Sequence, residues 1–326
     1  MVWSCRFSIL QYALALCGVS VFTNAFAWIA GGAYLSSWFP TKKGLALGWA
    51  TMGNNLASAT IVILLTSLAT AFGGIQWAIT FIGVGMILLS VWAFFIPSHP
   101  EEAGATPDNL PIEEVKKTSV IDTAENKDYE SNWTYKDILR TKEFWLIGIS
   151  LGIYFLVTVG VMSQLVPRMI GLGFTESKAI ATMTICALIG VVGSYIWGYL
   201  DIKFSTKFAT AAYGIWYTIA IIFNLLNGLV FIYISIFMIG IAIGGSANWP
   251  ISLTSTVYGS KNFAKVYSLI NPLISIIRML AFTVLAISLS LVGSYTGAYL
   301  FFIVLLVLAI FMVLAIDDKK YSDDYK

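Results

Sequence analysis

The sequence predicts an all-α integral membrane protein, and three features of its 326 residues carry that expectation. It is 58% hydrophobic and only 11% charged, with a mean hydropathy of +0.83. A soluble domain carries about a quarter charged residues. Apolar runs of roughly 20 residues recur along the chain, each long enough to cross the hydrocarbon core as a helix. The charges are also segregated into the connections between runs, so the net charge of +2 says little by itself.

Nine spans are expected, near 10–37, 44–71, 76–96, 144–166, 176–199, 208–226, 229–249, 264–291 and 297–316. The first has Asn24 as its polar residue. The second follows Pro40, Lys42 and Lys43, and carries Thr51, Asn55 and Ser58 at helical spacing with Asn54 adjacent. The third has only Thr80 and Ser90 in Trp77 to Ile96, which suits a lipid-facing or packing helix. A charged segment, Ser98 to Lys142, then interrupts the pattern and reads as a solvated linker. Its end, Trp133 to Lys142, is expected to form a short interfacial helix leading into Phe144. The Asn132-Trp133-Thr134 sequon is discounted, because the linker is placed inside the cell.

The fourth span carries Tyr154, Thr158 and Gln164 and closes at Pro167 and Arg168, with Arg168 read as an interface anchor or an outer gate. Asn248, Ser252 and Ser255 step by four and three through the end of the seventh. The ninth, Ala298 to Ile316, is apolar apart from Tyr299. Gly31-Gly32, Gly44-Gly48, Gly190-Gly193 and Gly240-Gly244 read as points where helices pack closely.

Fifteen of the nineteen Lys and Arg residues fall on one side of this arrangement: Lys42, Lys43, the linker, Lys203, Lys207, Lys261, Lys265 and the tail. That side is expected to be cytoplasmic, with the C-terminus inside. Nine crossings then place the N-terminus outside, although the head with Arg6 has no signal-peptide layout; upstream helices are expected to resolve the conflict. Cys5, Cys17 and Cys186 are far apart, and the single histidine, His99, lies in a polar loop. No zinc set, Ser-His-Asp triad or Cys-His pair can be built from these, so neither an enzyme nor a cofactor or metal is expected.

The eighth span holds the most informative residue. If the helix from Lys265 to Gly293 is continuous, Arg278 lies ~20 Å from either end, too deep for easy snorkelling. Ser268, Asn271, Ser275 and Arg278 follow at spacings of three, four and three, on one face. All seventeen acidic residues fall in loops or tails. A deep arginine without a deep carboxylate takes its anion from elsewhere, or from a substrate. The alternative is that Asn271-Pro272 breaks the helix, which would let Arg278 reach the interface as an anchor.

Two motifs add a resemblance. Trp38-Phe39-Pro40-Thr41-Lys42-Lys43-Gly44-Leu45-Ala46-Leu47-Gly48 resembles the turn between the fourth and fifth spans of major facilitator superfamily transporters. Gly198-Tyr199-Leu200-Asp201-Ile202-Lys203, with Lys207 after it, resembles the G-x-x-x-D-(K/R)-x-G-(R/K) loop between the eighth and ninth spans. Phe204 or Ser205 stands where glycine is usual, implying a less tightly turned loop. The first motif looks most like the organic-anion branches, oxalate/formate antiporter-like and monocarboxylate carriers. The drug/proton antiporter motif of the fifth span is absent, and Leu14 and Cys17 replace the Arg and Gln of R-x-x-Q-G.

The resemblance implies a helical bundle with about nine of twelve spans present. Residues 1–97 would be a partial N-terminal half, 98–142 the cytoplasmic linker, 143–316 a complete six-helix half and 317–326 a tail. The implied function is secondary transport of a small mono- or dicarboxylate by alternating access, as antiport or proton-linked transport. A non-transporting fragment, or a carrier of a neutral or other solute, is the alternative. Arg278, Asn271, Ser275, Asn248, Gln164, Tyr154, Asn55 and Asn24 are the expected substrate contacts, each Ser, Thr or Asn having the rival role of bridging helices. Asp201, Lys203, Lys207 and Gly198 form the expected cytoplasmic gating motif. The expected partners are an anionic solute and the plasma-membrane bilayer, with no nucleic acid, for a monomer.

Overall fold

The computed structural model describes residues 9–110, 133–226, 228–318 and 321. Cys5, Arg6, the linker stretch 111–132 with the sequon's Asn132, and tail residues 319, 320 and 322–326 lie outside the described residues.

Every regular element among the described residues is helical. They run α1 (Ile9–Thr23), a π-helical stretch Asn24–Ala30, α2 (Gly31–Trp38), α3 (Lys43–Ala71), α4 (Ile75–Ala93), α5 (Tyr135–Arg140), α6 (Lys142–Gly171), α7 (Glu176–Phe204), α8 (Thr206–Leu225), α9 (Leu229–Ser246), α10 (Asn248–Val292) and α11 (Thr296–Leu314). Eight helices among the described residues are long and apolar enough to cross a membrane. The remaining expected span, 44–71, is the 29-residue helix α3. Exposed Phe81, Ile87, Leu88 and Trp92 on α4, or Met279, Leu280 and Phe282 on α10, would be costly in water and suit lipid.

The described residues divide into two compact units. One holds those up to Pro40 and from Thr60 to Thr118; the other holds Thr41–Ala59 and those from Ser119 on. In the first, the Trp38 indole donates to the Ser98 carbonyl, and the linker's start is ordered into 3-10 turns at Pro100–Ala103 and Pro107–Asn109, with Asp108 buried. That start is therefore more structured than a solvated linker.

The second unit has the larger core. α6 and α10 pack because Gly148 and Gly152 leave room for Leu273 and Ile277. α7 and α9 approach backbone to backbone where Gly193 meets Ile241 and Gly244 meets Gly190, as the glycine spacing predicts. Gly31, by contrast, meets only the carbonyl of Phe26 in its own helix segment. Trp197, Tyr213, Trp249 and Tyr217 interlock at ring separations of 5.3 to 5.9 Å in the buried centre.

Of the two readings of Lys265 to Gly293, the structure has the continuous helix: α10 runs through Pro272, between buried Ile270 and Ile274. Its kink lies at Gly259, whose φ of 73° and ψ of 166° suit glycine alone. The loop between α7 and α8 is not looser for lacking glycine. It is the single residue Ser205, which takes a φ of 81°.

Candidate functional site

Gly198 and Asp201, two residues of the expected gating motif, meet the start of α3. Gly44 and Gly48 lie against Gly198 and Ser194 so closely that a Cβ on any of the three glycines would collide with the opposite helix. This contact brings polar side chains from α3, α7 and α10 together inside one compact unit. Thr51 donates to Asn248 Oδ1 at 2.6 Å, and Asn248 Nδ2 donates to the Ser194 carbonyl at 3.2 Å. Asn55 Nδ2 donates to Ser194 Oγ at 2.9 Å, and that hydroxyl donates to the Gly244 carbonyl at 2.9 Å. All four side chains are buried.

One turn further on, the Ser252 hydroxyl donates to Asp201 Oδ2. Thr206 stands beside it, 3.5 Å from Ser252 Oγ and 3.1 Å from Thr256 Oγ1. Asp201 Oδ1 is buried and has no hydrogen-bond partner among the described residues. The cation that attracts Asp201 is Lys43, the first residue of α3, outside the expected span 44–71. Burial lowers the Lys43 ammonium from 10.5 to about 8, and Asp201 opposes that shift.

The lysines expected to latch with Asp201 sit elsewhere. Lys207 donates to the Ile316 carbonyl at 2.7 Å, just past the end of α11, where a cation satisfies an orphan carbonyl. Lys203 is exposed and lies 5.8 Å and 5.4 Å over the rings of Tyr199 and Phe204. Reading the motif alone selects the lysines on Asp201's own segment; Lys43 comes from 158 positions earlier in the chain.

The remaining expected substrate contacts are dispersed. Tyr154 is buried, its hydroxyl donating to the Thr210 carbonyl at 3.3 Å and its ring edge-on to Tyr213. Gln164 reaches only Ser163 among the described residues, at 3.5 Å. Asn24, in the π-helical stretch, donates to the Ser20 carbonyl at 2.7 Å. Ser268, Asn271, Ser275 and Arg278 do share one flank of α10, all half-buried, between buried Ile270, Ile274 and Ala281 and exposed Ile276, Met279 and Leu280.

Because α10 is helical from beyond Asn262 to Val292, Arg278 stands about 20 Å from that end. Its guanidinium carbon is 6.0 Å from the Phe155 ring centroid, at the limit of a cation–π contact. No hydrogen bond or ion pair reaches it among the described residues. Arg168 differs: it donates to the Asn224 carbonyl and lies 4.9 Å over the Tyr299 ring, tying α6 to α8 and α11.

Ser194 and Thr206 were not singled out by sequence, and Lys43 was read only as part of the first motif and of the Lys-rich side. Ser194 stands in an apolar, small-residue run, and its only signal is its position one residue after Gly193, where the helices touch.

No curated protein matches the chain. The family model of the Major Facilitator Superfamily matches residues 2–282. Apolar helices of spanning length, closely packed through glycines and carrying buried polar networks, are what a carrier of this kind requires, and the chain belongs to the Major Facilitator Superfamily.

Proposed function

We propose that this secondary membrane transporter carries a small organic anion, a mono- or dicarboxylate, with Arg278 as its principal contact. The observation behind the reading is a half-buried guanidinium at span depth whose N–H donors meet no acceptor among the described residues. Among the described residues no acid lies at that depth: their carboxylates fall in loops and helix ends. A substrate carboxylate would take the guanidinium's paired donors in a bidentate contact. Asn271 and Ser275 on the same flank would bind its remaining oxygens, with Gln164 assigned to a more distant substrate atom.

In this reading the network of Thr51, Asn55, Ser194 and Asn248 is a lock rather than a substrate pocket, and Tyr154 is a packing residue. Each of its hydrogen bonds is worth about 0.5–1.5 kcal/mol net, so the lock is strong enough to define a state and weak enough to open. Alternating access would break it as the site turns from one side of the membrane to the other. The Lys-rich end is assigned to the cytoplasm of a plasma-membrane protein. Coupling is by exchange of anions or by a proton travelling with the substrate.

The test is uptake of labelled mono- and dicarboxylates into proteoliposomes holding this protein. Arg278→Gln is expected to reduce uptake roughly 10- to 100-fold, the value of a charge-assisted contact. Unchanged uptake, or a wild type that carries no carboxylate at all, would overturn the assignment.

A further inference from the structure

The short segment ahead of α6 has three dissimilar sides. α5 starts in a capping box, Thr134 with Asp137, and is separated from α6 by Thr141 alone. Ile138 is fully buried in the core. Tyr135 and Leu139, four residues apart, are exposed, and Trp145 joins them from the first turn of α6, its indole N–H donating to the Leu139 carbonyl at 2.9 Å.

Lys136 and Arg140, also four apart, are exposed beside that apolar strip, and exposed Lys142 follows. None of these three cations makes a hydrogen bond or ion pair among the described residues. Lys265 of α10 extends the patch, its ammonium 5.3 Å over the Tyr135 ring. Among the described residues, the two acids adjacent to these cations in sequence are engaged: Asp137 accepts from the Thr134 N–H at 3.1 Å, and buried Glu143 accepts from the Tyr321 hydroxyl at 3.0 Å. The outward surface is therefore cationic, next to an aromatic and aliphatic strip, at the end of a membrane-spanning helix.

Apolar and cationic strips side by side at a span's end match the two chemistries of the lipid interface. We propose that α5, with Lys142 and Lys265, is a docking site for an anionic phospholipid. The headgroup phosphate would lie among Lys136, Arg140 and Lys142, with the acyl chains along Tyr135, Leu139 and Trp145. Zwitterionic lipid can cover the same apolar strip, but its own ammonium opposes the basic side chains. The inference does not depend on which solute is carried.

The test uses the full chain in vesicles containing, at equal mole fraction, either brominated phosphatidylglycerol or brominated phosphatidylcholine. Subtracting a Trp145→Phe variant isolates the fluorescence quenching at Trp145. Quenching severalfold stronger by the anionic lipid is expected, with the preference lost in Lys136→Gln/Arg140→Gln/Lys142→Gln. If that variant fails to fold, Lys136→Gln/Arg140→Gln serves, since both residues are exposed. Equal quenching by the two lipids, or a preference untouched by the substitutions, would overturn the proposal. Loss of the preference on adding excess inorganic phosphate would also overturn it, by assigning the site to free phosphate.

Discussion

Gly198 of α7 and Gly44 of α3 meet backbone to backbone: a methyl group on Gly198 would overlap the Gly44 carbonyl oxygen, and one on Gly44 would strike the Asp201 carboxylate. A methyl on Gly48 would come within 2.9 Å of the Ser194 carbonyl oxygen. Backbone cannot yield as a flexible side chain can, so the helices hold this spacing only with hydrogen at these positions. Gly198→Ala is expected to cost about 1–3 kcal/mol of this state, the usual penalty of overpacking. Gly53→Ala, with nothing within 4 Å, should be neutral or slightly stabilising through helix propensity. Melting temperatures in detergent check the contrast, and equal values for the two variants would contradict it.

Ser205 joins α7 to α8 with φ 81° and ψ 148°, a region that favours glycine because any Cβ crowds the backbone. Ser205→Gly is expected to raise stability by about 1 kcal/mol, the relief of strain exceeding the extra freedom of the unfolded chain. Ser205→Val should be destabilising, since a β-branched side chain tolerates positive φ least. Thermal unfolding of the two variants against wild type checks the order.

Tyr321, beyond α11, is clamped between aromatic rings. Tyr321 stacks on Tyr258 at 5.4 Å, meets the edge of Trp133 at 5.0 Å, and donates its hydroxyl to Glu143. Tyr258 in turn bonds Thr141 and directly precedes the kink at Gly259. Tyr321→Phe keeps the stack and loses the hydroxyl, for an expected cost of about 1 kcal/mol. Tyr321→Ala also loses the ring contacts, each worth ~0.5–1.5 kcal/mol, and should unfold at a lower temperature than the phenylalanine variant. Indistinguishable melting of wild type and Tyr321→Ala would show that the clamp carries no stability.

The helices were legible in the sequence because apolar length is a property of each segment alone. Span 176–199 became Glu176–Phe204, and 297–316 became Thr296–Leu314. The depth of Arg278 followed from the same count once α10 proved continuous. Partnerships between segments are a different matter. Thr51 and Asn248 are 197 positions apart, and Lys207 and Ile316 are 109 apart. Periodicity on one helix says which residues share a face, but not what that face meets. The motif did not reveal the bond that Lys207 makes, because a terminal carbonyl has no sequence signature. At Pro272 the sequence left a choice between a broken and a continuous helix, and the structure shows it continuous between buried Ile270 and Ile274.

Lys43 makes the α3–α7 contact sensitive to alkaline pH. Burial lowers its ammonium to about 8, while in the unfolded chain it keeps the ordinary value of 10.5. Between those limits the unfolded state holds a proton that the folded state has released, so stability rises with pH across the window. Below pH 8 both states are protonated and the full cost of burying the charge is present; above 10.5 that cost is gone. Lys43→Met removes the titrating group and keeps the apolar stem. The difference in melting temperature between wild type and Lys43→Met should therefore shift in favour of wild type as pH rises from 8 to 10.5, a comparison that cancels every other titrating residue. Asp201→Asn removes the attraction that holds the ammonium up, so the same rise should begin at lower pH. Parallel profiles for wild type and Lys43→Met would mean that this amine stays charged and solvated throughout.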